Sequence, residues 1–318
     1  MNHQHAVMMM GSCFTENIGG LLKLHRFNVM ENPNGILFNP VSVAEAIEMY
    51  VQREITAENQ LFCLNETWHS WRHHSRFSGI TAAESVEKIN TSVDKANRFL
   101  QRADFLMITL GSAWVYELTE KAVGFQPGKV AANNHKAPAD WFQKRLMTAE
   151  ATVDLLQKML TQLLAFNPAI KIIFTISPVR HLREGVIENN RSKAVLIQAV
   201  HDLVSRYSQC YYFPAYELVI DDLRDYRFYA EDLVHPNYHA TQYVWEKFVH
   251  SCMEPETAEL LHQIKEINNA FQHKPFNPGT QAHQEFLRKY ANVVNELMGK
   301  YPELDFNAEL AYFKTGKR

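Results

Sequence analysis

Cysteine, glycine and proline are all scarce in this chain. Its four cysteines (Cys13, Cys63, Cys210, Cys252) include no C-x-x-C pair, so neither a disulfide framework nor a zinc ribbon is supported. Twelve glycines and twelve prolines among 318 residues rule out a collagenous or linker-like chain. Long apolar runs are missing too. Stretches such as Ile172-Ile173-Phe174 fall far short of the ~18–20 residues a membrane span needs. Charge of one sign does not dominate: 32 Lys and Arg face 35 Asp and Glu, a net charge of −3. There is thus no global basic field to draw in nucleic acid or anionic lipid. No Lys or Arg precedes Lys23, and the apolar stretch Ala6 to Met10 is too short for a signal peptide. The expectation is a reduced, cytoplasmic protein with neither nucleic-acid nor membrane partners.

What is present is an ordinary globular balance, 46% apolar and 21% charged, in a chain long enough for one large domain or two small ones. Four apolar runs read as strands buried on both faces: Ala6 to Met10, Phe105 to Leu110, Ile170 to Ile176 and Cys210 to Phe213. Helical patterns lie between them. Ile18, Leu21, Leu22 and His25 mark one face; Leu156, Leu160, Leu163 and Leu164 a second, closed by Asn167-Pro168. Leu196, Ala199, Val200, Leu203 and Tyr207 give a third, and Thr241, Trp245, Phe248, Val249 and Cys252 a fourth. Strand alternating with helix predicts an α/β layered sheet with right-handed crossovers. Val41 to Leu100 is less regular, with Val43, Ala44, Ile47 and Val51 helical in pattern. Residues 61–79 crowd aromatics and histidines (Trp68, His69, Trp71, His73, His74) and predict an inserted loop or hairpin. Two more amphipathic patterns follow Glu254, separated by a linker at His273 to Gly279. The predicted domains are residues 1–252 and a helical appendage at 253–318, whose apolar faces suit either capping of the domain or a homodimer.

Open α/β sheets form their sites at the carboxyl ends of strands. Gly11 and Gly111 end two strands and Gly35 follows the short apolar Phe27-Asn28-Val29; each allows a sharp turn and a close backbone approach. Ser12 stands on the first strand-to-helix turn, where amides of the helix point outward, a sound place for a hydroxyl nucleophile and a developing oxyanion. Ser12 or Thr15 serving only as a helix N-cap is the plainer reading. Asp232 and His235, three residues apart, could supply a base and its orienting carboxylate. Cys13 is a weaker nucleophile candidate, expected to pack inward as a small hydrophobe. The His69, His73, His74 cluster lacks metal-ligand spacing, so no metal and no cofactor are expected; it reads as a substrate-facing loop. Arg180 and His181 follow the third strand and are expected to line the same cleft, unless Arg180 serves a structural ion pair.

Gly11-Ser12-Cys13-Phe14-Thr15 resembles the opening motif of the GSCFA family, with Thr15 where the family name has alanine. The resemblance continues through Asn32 to Pro40, Trp71 to Ser78, Thr109 to Tyr116, Asn134-His135-Lys136, Ser177 to His181 and Leu233 to Asn237, roughly residues 8–250. That family is similar to the SGNH (GDSL-like) hydrolases. The resemblance implies a three-layer α/β/α sandwich with a mainly parallel, flavodoxin-like sheet, and ester hydrolysis or acyl transfer without a metal. Carried over by motif, Ser12 is the nucleophile, His235 the base and Asp232 its orienter, with the Gly35 and Ser12 amides forming an oxyanion hole. Where SGNH enzymes place an oxyanion asparagine two residues after the third-block glycine, Gly111, this chain has Ala113. Trp114, Asn133, Asn134, His135 or His73 could substitute. Otherwise turnover is slow, or the protein only binds a glycan or an acylated ligand. The substrate expected of an enzyme is a small-molecule or carbohydrate ester, the sugar suggested by Trp68, Trp71, Phe77, Trp114 and Tyr116.

Overall fold

Runs of Val, Ile, Leu, Met and Phe with no polar alternation can be satisfied only by a sheet covered on both faces, and these runs become its strands. The computed structural model describes residues 1–317. In chain order its elements are β1 (Ala6–Gly11), α1 (Cys13–Leu24), β2 (Asn28–Glu31), α2 (Pro40–Gln52), β3 (Phe62–Leu64), β4 (Thr67–His69) and α3 (Ala82–Leu100). Then come β5 (Phe105–Leu110), β6 (Trp114–Leu118), β7 (Phe142–Leu146), α4 (Ala149–Phe166), β8 (Lys171–Ile176), α5 (Val186–Arg206) and β9 (Cys210–Tyr212). A single turn, α6 (Ala215–Glu217), precedes α7 (Tyr238–Cys252), α8 (Pro255–Gln272), α9 (Gln281–Lys300) and α10 (Asn307–Thr315).

The five-stranded sheet runs β2-β1-β5-β8-β9, and its β1–β5, β5–β8 and β8–β9 pairs are parallel. Taken in sheet terms this is the 2-1-3-4-5 order of flavodoxin-like folds, whose switch point lies between the first and third strands. One face (Ala6, Met8, Met10, Leu106, Ile108, Leu110, Ile172, Phe174, Ile176) packs on α2, α3, α4 and α5. The opposite face (Val7, Met9, Met107, Ile173) is buried as well. The result is a three-layer α/β/α sandwich. Helix starts are set by capping: Asn39 accepts from Ser42 N with Pro40 at the first turn, Thr81 from Glu84 N, and Thr148 from Ala151 N.

The irregular region resolves into three devices. Residues 61–79 contain the β3–β4 hairpin, and Phe62, Trp71, Leu118, Ala122 and Ala131 form a satellite core beneath it. Helix α3 was not anticipated, although Ser85, Ile89, Val93, Ala96 and Phe99 recur on one buried face. A second antiparallel hairpin, β6–β7, interrupts the alternation after β5.

The chain divides into two compact units. The larger comprises His5–Gly20 and Val29–Glu246. The smaller begins at Lys247 and also takes in Met1–Gln4 and Leu21–Asn28. Its core joins α8, α9 and α10 through Leu260, Ile264, Ile267, Leu287, Val294, Leu297, Phe306 and Phe313. Within it Arg26 pairs with Glu309 and lies over the Phe306 ring, while Asn268 donates to the Leu24 carbonyl. Among the described residues no helix is long and apolar enough to cross a membrane.

Candidate active site

Gly11 fixes the first corner of the site. At φ +136°, a Cβ there would sit 2.1 Å from the Thr109 carbonyl oxygen, so only glycine lets β1 lie this close to β5 before the chain turns. Asn32 secures the corner by accepting from Gly11 N at 2.9 Å. Ser12 follows, buried to 1% exposure, on the turn into α1. Its Oγ accepts from Phe14 N at 3.3 Å, so it acts as a weak N-cap. It also lines a pocket of about 40 Å³ with Cys13, Gly111, Ser112, Ser177, Arg180 and His181. These residues stand at the carboxyl ends of β1, β5 and β8, beside the switch point of the sheet. Phe38, Ser112 and His181 also line a wider cleft of about 290 Å³ with Trp114, Tyr116, Asn133, Asn134, His135, Lys136 and Arg183.

The Asp232–His235 pairing expected from sequence is present. Asp232 Oδ2 accepts from His235 Nδ1 at 2.6 Å, and its other oxygen accepts from the His235 and Val234 amides. Those amide and imidazole bonds hold its carboxyl down at about 2. The pair is exposed, however, and among the described residues no hydrogen bond joins His235 to Ser12. What ties the pair's turn to the pocket is Arg180: its amide donates to Val234 O at 3.2 Å and its guanidinium to Leu233 O at 3.3 Å. Among the described residues Arg180 forms no ion pair. Its guanidinium stacks on Tyr229 at 4.3 Å and Tyr226 at 5.1 Å.

Several other assignments need correction. The Gly35 amide is taken up by Asn32 O at 2.7 Å, and Gly35 lines neither pocket. The Ser12 amide donates to Thr109 O at 3.2 Å. Neither amide assigned to the oxyanion is therefore free, whereas Cys13 N, the first amide of α1, has no carbonyl partner among the described residues. His73 is buried at 1% exposure with Nδ1 against Ser70 Oγ, and burial pushes its imidazole down to about 3. It lines neither pocket and cannot replace the missing asparagine. The Trp114 indole donates to Glu188 O at 3.3 Å, leaving its ring, not its N–H, to the cleft. His135 bonds Ser70 O and Ser75 Oγ, and burial lowers it to about 4. Asn133 is engaged by Ser75 and the His135 amide, whereas the Asn134 side chain lines the cleft without a hydrogen-bond partner among the described residues.

Most of the aromatic segment is taken up in packing. Trp71 stacks on Phe62 with centroids 3.9 Å apart and donates to Val123 O, while Trp68 and Phe77 pack against the main core. Only Trp114 and Tyr116 of the expected aromatics reach the cleft. Cys13 does not turn fully inward: it is half-buried and lines the Ser12 pocket. Burial raises its thiol's pKa, which leaves the hydroxyl of Ser12 the better candidate. His181, by contrast, lies at the rim as expected, 2.8 Å from Glu184.

A polar stripe on α5 was missed. Asn189, Ser192 and Lys193 are all buried, at 4%, 1% and 1% exposure. Continuing the Leu196, Ala199, Val200, Leu203 face one turn and two turns back reaches these residues, so the periodicity already placed a lysine on a buried stripe.

A model of the GSCFA family matches residues 6–248. The chain belongs to the GSCFA family. The GSCFA C-terminal domain matches residues 264–316, within the helical unit of this GSCFA protein. Comparison with curated proteins gives no match. Among solved structures, a crystal structure of an acetyl esterase mutant with an acetate ion resembles the chain at 10% identity and a TM-score of 0.36, covering 83% of this chain and 99% of that one. So loose a likeness bears on neither substrate nor mechanism.

Proposed function

We propose that this GSCFA protein is an SGNH-like serine hydrolase of short acyl esters, with Ser12 as nucleophile, His235 as base and Asp232 as the carboxylate that orients it. The observation carrying the reading is the junction at Arg180, a residue that lines the Ser12 pocket and also bonds the turn bearing the Asp232–His235 pair. Closure of that turn would bring His235 Nε2 to Ser12 Oγ, a contact that often tightens only when substrate is bound. Ser12 Oγ then attacks the acyl carbonyl as His235 takes its proton. His235 returns the proton to the departing alkoxide, and water, deprotonated by the same imidazole, releases the acid from the acyl-enzyme. The Cys13 amide, at the positive end of α1, is the available oxyanion donor.

A pocket of about 40 Å³ holds only a few water-sized groups, which favours acetyl-sized acids over long chains. The wider cleft offers the Trp114 and Tyr116 rings, the free Asn134 amide and the cations Lys136 and Arg183 to the alcohol half. This suits a polar, ring-shaped alcohol such as a sugar, and an acceptor hydroxyl there would turn hydrolysis into acyl transfer. The test is p-nitrophenyl acetate turnover together with fluorophosphonate labelling. Both should disappear in Ser12→Ala, and labelling that survives this substitution removes the serine from the mechanism. A second reading, a binding protein for acetylated glycans, is favoured by the missing Ser12–His235 bond and by Ala113. It predicts saturable glycan binding with no turnover and no labelling.

A further inference from the structure

Lys193 is a buried cation that the proposed reaction leaves without a role. It is 1% exposed, and among the described residues it has no carboxylate partner. Its Nζ donates instead to the carbonyls of Gly111 at 2.6 Å and Ser177 at 2.7 Å. Both acceptors belong to residues lining the Ser12 pocket, one following β5 and one following β8. The rest of the stripe does similar work: Ser192 Oγ accepts from Ala113 N at 2.7 Å, and Asn189 Oδ1 from His181 N at 2.9 Å. Burying an ammonium with no counter-ion is costly, and a well-packed apolar side chain would generally serve folding as well or better. The position of the charge, under the strand ends that shape the pocket, points to the site.

We propose that Lys193 is a positioning residue for the Ser12 turn: its ammonium ties the ends of β5 and β8 together and places a positive charge beneath the pocket. The groups facing it are Cys13 from the start of α1, His181 from the loop after β8, and the Tyr216 ring of α6 at 5.8 Å. Its own helix adds Glu188 and Arg191, which bond each other. A charge here acts in a low-dielectric setting on whatever negative charge develops at the turn, which offsets the donor lost at Ala113. The role as an aid to catalysis rests on the hydrolase reading; the charge itself does not.

The test therefore reads two neighbours in the full-length protein, with Lys193→Met and Lys193→Gln compared after thermal melts show both folded. Cys13 alkylation by iodoacetamide, followed by peptide mass spectrometry from about pH 6 to 9, reports the charge whether or not the protein is an enzyme. Both variants should slow it by about threefold or more near pH 6–7, because thiolate is the reactive form. The difference should fade toward pH 9, since burial lowers the pKa of Lys193 to about 7. Fluorophosphonate labelling of Ser12 should slow by about tenfold or more. Unchanged Cys13 rates overturn the proposal. So does a Gln variant that alkylates like wild type, because Gln keeps a donor without the charge. If Cys13 responds while wild-type Ser12 is never labelled, the positioned charge stands and the hydrolase reading falls.

Discussion

Lys193→Met offers a stability test whose sign changes with pH in a defined window. Burial pushes the folded-state pKa of Lys193 down from 10.5 to about 7. Below about pH 7 the folded and unfolded chains both carry the proton, and the folded chain bears the full cost of a desolvated ammonium. Between about 7 and 10.5 the unfolded chain binds more protons than the folded one, so this group's contribution to stability rises with pH. At ~1.4 kcal/mol per pKa unit, the penalty is roughly 5 kcal/mol at pH 6 and about 2 kcal/mol at pH 9. Methionine removes it and roughly keeps the volume, but leaves the Gly111 and Ser177 carbonyls without their donor, at about 1–3 kcal/mol each at any pH. The variant should thus be near neutral or stabilised at pH 6, and less stable relative to wild type by about 3 kcal/mol more at pH 9. Urea unfolding at the two pH values measures this directly. If the two differences agree within about 1 kcal/mol, the lysine is not desolvated and the reasoning fails.

Further outcomes are expected. Gly11→Ala, forcing a Cβ to 2.1 Å from Thr109 O, should cost more than ~4 kcal/mol in thermal unfolding, if the variant folds at all. Asp232→Asn should lower p-nitrophenyl acetate hydrolysis by ~10²–10⁴-fold while leaving the melting temperature nearly unchanged, because the pair is exposed. Because Asp232 titrates near 2, any acid limb in the wild-type pH–rate profile above about pH 4 should belong to another group, which kcat/KM measured from about pH 3 to 8 would show. Trp71→Ala should cost ~3–5 kcal/mol in chemical denaturation, since that ring is stacked and buried beneath the hairpin, whereas Trp114→Ala should mainly raise KM for a sugar acetate.

The alternation of unbroken apolar runs with 3.6-periodic stripes was enough to anticipate β1, β5, β8 and β9 and most helices, because a strand buried on both faces must be apolar at every position. Asp232 and His235 were legible for a similar reason: three residues apart on one turn, they meet through local geometry alone. Helix α3 escaped notice because only one residue per turn is buried amid a polar majority.

The order β2-β1-β5-β8-β9, and with it the convergence of Ser12, Gly111 and Ser177 at one edge, was decided by strand pairings between distant segments. So was the assignment of amides: that Gly35 N and Ser12 N are already bonded depends on carbonyls whose positions no local motif specifies. The tryptophans of residues 61–79 have side chains equally suited to a ligand or to a core, and only the fold placed Trp71 in the satellite core and Trp68 against the main one. By itself the sequence determined which residues could carry chemistry and which end of a strand they follow. Tertiary structure alone decided which of them share a pocket and which already have partners, because hydrogen bonds and burial belong to the whole fold.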